Sequence, residues 1–102
     1  MIYIKSPAIQ FKPCKLSEFI TVEEFCHQAC YDYIREAYEI YAQVFPEKYN
    51  VIEGYTLTDG SFVDRLEAMK IAKATDAVVD TYKDDDMLFS YKIKRYGGPY
   101  EN

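Results

Sequence analysis

The sequence predicts a small α+β domain, with a small antiparallel sheet, one long helix and one shorter helix. Three observations carry that prediction. A run from about Val22 to Phe45 has helical periodicity, and the stretch Glu53–Ala72 reads as strand, tight turn, strand and helix start. The segment from about Ile2 to Phe11 is apolar and β-prone. The 102 residues make one domain, 1–102, with a C-terminal tail from about 95 to 102. Hydrophobic residues are 49% of the chain, which allows a core and excludes wholesale disorder.

Taken in order, Ile2 to Phe11 is expected to form one or two short strands, bent at Ser6-Pro7. Lys12-Pro13-Cys14-Lys15 reads as a connector. Thr21 and Glu24 suit a capping box for the long helix, and Pro46 ends it. Val22, Phe25, Cys26, Ala29, Tyr33, Ala37, Ile40, Tyr41 and Val44 mark its buried stripe. Tyr31, Ile34, Tyr38 and Phe45 widen the apolar arc, and the surplus is read as a self-association surface. Thr58-Asp59-Gly60-Ser61 is expected to turn a two-residue hairpin, with positive φ at Asp and Gly. Phe62 and Val63 return the strand. Asp64 caps the shorter helix from about Arg65 to Lys73, with Glu67 completing a capping box. Val78 and Val79 start another strand or dock the helix end, and Lys83 to Asp86 is a loop. Met87 to Ile93 alternates as a strand, and Arg95 to Asn102 is the tail.

Composition narrows the function. A net charge of −5 argues against a general nucleic-acid binder, which needs a basic face. Eleven Tyr and no Trp suit half-buried surfaces such as ligand walls and interfaces. Three Cys is an odd number, which fits no closed disulfide framework and points to the cytoplasm. Neither a signal peptide nor a membrane span is expected from the apolar runs. His27 is the single histidine. Cys26 and Cys30 lie beside it at helical spacing, but further ligands are wanting, so neither metal nor cofactor is expected. Glu23 with Glu24, Glu36 with Glu39, and Asp84 to Asp86 read as exposed faces, and no glycine-rich phosphate loop is present, so an enzyme is not expected. The corner formed by Tyr55, Asp64 and Arg65 is the candidate ligand site. An aromatic ring stacks on a base, a carboxylate accepts from ribose hydroxyls or base amines, and an arginine favours phosphate.

Gly54-Tyr55, Gly60-x-Phe62-Val63-Asp64-Arg65-x-Glu67-Ala68 and Ile71-Ala72 together resemble a pattern in small phage proteins, the phage Thoeris anti-defence family. The resemblance covers about twenty residues, with a looser echo in Tyr31 to Tyr38. It implies a sponge that binds cyclic ADP-ribose isomers made by host immune enzymes and holds them without cleavage, as a homo-oligomer in the host bacterial cytoplasm. By motif position the ligand-binding residues would be Tyr55 and Asp64, with Arg65 beside them. Where the family often carries Arg-His, this chain has Ala29-Cys30, so Arg35 or the Lys92, Lys94, Arg95 run is expected to meet phosphate. The alternative expectation is a protein-binding inhibitor of a host defence protein, acting through a Tyr-rich, acidic surface.

Overall fold

The computed structural model describes residues 1–12, 18–38 and 51–97. It is an α+β fold: a four-stranded antiparallel sheet with two helices. The strands are β1 (Ile4–Phe11), β2 (Ile20–Glu23), β3 (Ile52–Leu57) and β4 (Phe62–Asp64), in the order β2-β1-β3-β4. Helix α1 (His27–Tyr38) follows β2, and α2 (Arg65–Ala74) follows β4 without a loop. Ile9 lies opposite both Val22 and Glu53, and Pro7 opposite Tyr55. Strand alternation therefore sends Ile9, Phe11, Val22, Glu53, Tyr55 and Leu57 to one face. That face holds two clusters. Cys30 and Ile34 of α1 pack on Ile9, Phe11 and Val22, while Ala68, Met69 and Ala72 of α2 pack on Ile4, Tyr55 and Leu57. The opposite face carries polar pairs: Ser6 with Thr56 at 3.2 Å, Gln10 with Thr21 at 3.1 Å, and the Thr56 hydroxyl donating to Glu23.

Pro7 sits within β1, an inner strand, where a missing N–H would ordinarily break a ladder. Its carbonyl accepts from Glu24 N at 3.3 Å, just past the end of β2. A strand residue's N and O point to the same side, so the absent donor falls where pairing with β2 has already stopped. The expected bend is a register shift between Ile4 and Ser6 rather than a break in the strand.

Several expectations are corrected. Thr21 lies in β2, not at a helix cap, because the β-branched run Ile20-Thr21-Val22 pairs with β1. The first helix begins at His27 and is described to Tyr38, so the predicted stretch beyond it lies outside the described residues. This later start changes its phase. Phe25, Tyr33 and Ala37 are exposed, whereas Ile34, read as surplus apolar surface, is fully buried. The hairpin loop has three residues, not two. Gly60 N donates to Leu57 O at 2.9 Å and Leu57 N to Ser61 O at 2.8 Å. Of the turn residues only Gly60 has positive φ (90°), as a type I turn closed by a left-handed residue requires. Met87 to Ile93 is not a strand. Ser90–Lys92 is a 3-10 turn, and only Ile93 bridges to Val78. The 3-10 turn breaks the extended chain there, and it buries Leu88 and Lys92 while leaving the aromatic Tyr91 exposed. Arg95 to Gly97 is not free tail: Arg95 Nη2 donates to Thr75 O at 2.6 Å and Gly97 N to Ile4 O at 2.7 Å.

The expectation for α2 agrees with the structure. Asp64 caps it, its carboxylate accepting from Glu67 N at 2.9 Å. The Glu67 side chain instead faces Lys70 at 3.6 Å.

Gly54 is paired on both sides, with Ala8 and with Asp64. A Cβ there would collide with the Val63 carbonyl, the Asp64 backbone and the Phe62 ring. Gly54→Ala should therefore lower unfolding free energy by about 2–3 kcal/mol in urea titrations with an unchanged slope, the range of a backbone-strained overpacking substitution.

Candidate functional site

Arg65 is the first residue of α2, where a cation opposes the helix dipole. Its guanidinium is carried away from the helix end and buried against the sheet, leaving the residue 9% exposed. Nη1 donates to Leu88 O at 2.7 Å, with the Tyr55 hydroxyl 3.5 Å away. Nη2 donates to Glu53 Oε1 at 3.0 Å and lies 3.4 Å from His27 Nδ1. The Phe89 ring covers the cation, its centroid 4.3 Å from Cζ. The Arg65 carbonyl in turn accepts from Leu88 N at 3.0 Å. One side chain thus ties α2 to β3, to α1 and to the segment after α2.

His27 and Tyr31 stand one helical turn apart on α1 and both reach β3. His27 Nε2 is 2.8 Å from Gly54 O. A carbonyl only accepts, so Nε2 carries the proton and Nδ1 offers its lone pair to Arg65. Burial, above all, holds the His27 pKa below its ordinary 6.5, and the Arg65 charge adds to this. The Gly54 bond and the Glu53 charge oppose it without prevailing. Tyr31 Oη donates to Glu53 Oε2 at 2.7 Å. Burial by itself would raise the Glu53 pKa, but the bonds from Tyr31 and Arg65 outweigh it and hold the carboxyl below 4.5. Burial, then the bond to Glu53, push the Tyr31 phenol upward.

In front of this network lies a cleft of about 540 Å³, lined by Tyr31, Val51, Glu53, Asp64, Arg65, Leu66 and Met87. Its size is that of small-molecule sites, about 300–1,000 Å³. Two carboxylates face one guanidinium, so its walls carry one net negative charge. Asp64 and Arg65 line it. Tyr55 does not: its ring is fully buried, edge-on to His27 at 5.2 Å, and its hydroxyl donates to Leu88 O at 3.3 Å. It supports the cleft from behind. Arg35 is not in the lining either, and pairs with Asp32 at 2.7 Å. Nor does the basic run reach it. Lys92 is buried on Asp85 (2.9 Å) and Met87 O (3.0 Å), Lys94 pairs with Asp76 (3.1 Å), and Arg95 bonds Thr75 O.

Sequence reasoning missed Tyr31, Val51, Glu53, Leu66 and Met87 as cleft residues. A signal existed for Glu53. In the alternating set Glu53, Tyr55, Leu57 it places a charge on the inward face, which demands a partner. Cys26 and Cys30 are free thiols, and burial pushes Cys30 up to about 11. Among the described residues no three His, Cys, Asp or Glu side chains gather as a metal site, and no helix is long and apolar enough to cross a membrane. No family model, curated protein or solved structure matches the chain.

Two outcomes follow from the Arg65 network. Arg65→Met should cost about 2–4 kcal/mol in chemical denaturation, below the value for a fully buried pair because Glu53 is partly exposed. Arg65→Lys should recover only part of it, lacking the planar fork. The second concerns pH. Below about 6.5 the unfolded chain protonates its histidine while folded His27 resists, so stability falls as pH drops from 6.5 toward the lowered folded value. A further fall begins below about 4.5 as Glu53 is protonated in the unfolded chain first. Urea midpoints measured from pH 8 to 3 should show both, and His27→Gln should flatten the first.

Proposed function

We propose that the protein binds and sequesters a cyclic nucleotide immune signal, a cyclic ADP-ribose isomer or a cyclic oligonucleotide, without cleaving it. It would act as a phage-type anti-defence protein in the host bacterial cytoplasm. The observation that carries this reading is a coincidence of position. Asp64 and Arg65, from the segment resembling the anti-defence family, form one wall of the 540 Å³ cleft. Val51, Leu66 and Met87 offer apolar surface for the faces of a base. Glu53 and Asp64 offer acceptors for base amines and ribose hydroxyls. Those carboxylates are engaged, Glu53 by Arg65 and Tyr31, and Asp64 by the helix N-terminus, so they act as fixed acceptors rather than as proton carriers. A sponge requires no more than preorganised contacts of this kind. The net negative walls orient the ligand: its donor-bearing nucleoside enters, and its phosphates stay outside.

Self-association as a homo-oligomer belongs to the same proposal. It is supported by exposed aromatic side chains flanking β2 and on α1: Phe25 is 83%, Tyr33 48% and Phe19 41% exposed. Light scattering on the purified protein would give a mass above one chain, and Phe25→Glu should reduce it.

Titration with cyclic ADP-ribose isomers and cyclic dinucleotides should give saturable binding, and heat denaturation should release the ligand intact. Silence toward all of them removes the proposal, and a cleaved product replaces it with catalysis. Leu66→Glu should weaken binding at least about ten-fold by adding charge at the mouth, with little change in unfolding midpoint because Leu66 is 53% exposed. A second reading rests on Tyr91, which is 65% exposed, stacked on Phe89 at 5.9 Å and close in sequence to Asp84-Asp85-Asp86. On that reading the surface inhibits a host defence protein. A stoichiometric protein partner lost in Tyr91→Ala, with no nucleotide bound, would favour it.

A further inference from the structure

Leu66 borders two cavities. One is the cleft. The other is a groove of about 320 Å³ along α2, lined by Leu66, Met69, Lys70, Lys73 and Asp86. Leu66, Met69, Lys70 and Lys73 follow the spacing i, i+3, i+4, i+7, so one helix face carries the groove, reaching about 10 Å from Leu66 to Lys73. The two spaces differ in charge. The cleft sets Glu53 and Asp64 against Arg65, whereas the groove sets Lys70 and Lys73 against Asp86. Lys70 leans on Glu67 at 3.6 Å, but it is 76% exposed and that pair is weak. Lys73 is exposed and makes no ion pair among the described residues.

We infer that this groove holds the phosphate part of the ligand whose nucleoside part occupies the cleft; the inference rests on the small-molecule reading of the cleft. A phosphate inside the cleft would meet two carboxylates and an arginine whose Nη groups are already bonded. Outside it, the groove is the adjoining space, sharing Leu66 with the cleft and bordered by two lysines. Met69 closes the floor between the lysines and the sheet, being 1% exposed. The lysines present mobile point charges, which suit phosphate oxygens without a fixed fork. The ligand class is a nucleotide spanning two adjacent spaces of opposite charge, joined at Leu66.

The test compares adenosine with AMP by calorimetry on the full chain. Wild type should bind AMP about three- to ten-fold more tightly than adenosine, a margin typical of two exposed cation contacts, and added salt should shrink it. Lys70→Gln with Lys73→Gln should erase the margin and leave adenosine affinity unchanged. Asp86→Asn should widen it. Unfolding midpoints confirm that these exposed substitutions leave the fold intact. Equal binding of AMP and adenosine by wild type, or a margin that survives in the double variant, overturns the phosphate groove alone. Failure to bind adenosine and AMP alike also overturns the groove, whereas the reading of the cleft stands or falls with the cyclic nucleotide titration.

Discussion

A single guanidinium has to be satisfied before the two helices can sit on the sheet as they do. Arg65 is buried at the first turn of α2, against the dipole, and finds its partners on three other parts of the chain: Glu53 on β3, His27 on α1 and the Leu88 carbonyl. At 3.0 Å and an effective dielectric near 20, the attraction to Glu53 is about 5.5 kcal/mol. Removing the ions from water costs several kcal/mol apiece. The pair therefore adds little net stability, and its effect is geometric. It fixes where β3, α1 and the segment after α2 meet, and a cleft opens in front of that junction. Phe89 supplies the apolar cover, and Tyr31 fills the remaining side of the Glu53 carboxylate.

What the sequence made legible depended on how local the determining interactions are. The strand-turn-strand-helix unit from Glu53 onward was readable because its signals lie within a few residues. Gly60 has the left-handed φ that the turn requires, and Asp64 caps the helix it precedes. The start of the first helix was not readable in the same way. Ile20-Thr21-Val22 fits both a helix stripe and a strand, and only the distant Ile9 and Gln10 decide in favour of the strand. Once those residues pair with β1, the helix starts later and shows a different side to the core, so Ile34 and Tyr33 exchange roles. The Met87 to Ile93 pattern misled for the opposite reason: its alternation was sound, but burial of Lys92 overrode it.

The site was half legible. Asp64 and Arg65 do border the cleft. Tyr55 was assigned to a ligand wall on its aromatic character, but its inward register on β3 makes it core. The decisive neighbours, Glu53 and Tyr31, come from elements whose facing depends on the sheet. A charged residue on an otherwise apolar strand face was the one clue available without coordinates. Chain order also hides that α2 presents an acidic cleft at one end and a basic groove along its side, because the lysines belong to the helix and the carboxylates largely to the strands.

Lys92 repeats the Arg65 arrangement on a smaller scale. Its side chain is 7% exposed, the ammonium paired with Asp85, bonded to the Met87 carbonyl, and surrounded by Tyr82, Phe89 and Tyr91 at 5.0–5.9 Å. Phe89 is shared, serving Arg65 as well as Lys92. Replacing that ring with an aliphatic side chain would weaken both sites at once but unevenly: Lys92 would keep Tyr82 and Tyr91, whereas Arg65 would keep the more distant Tyr55 ring at 6.0 Å. Positions 65 and 92 thus depend on one shared ring at position 89.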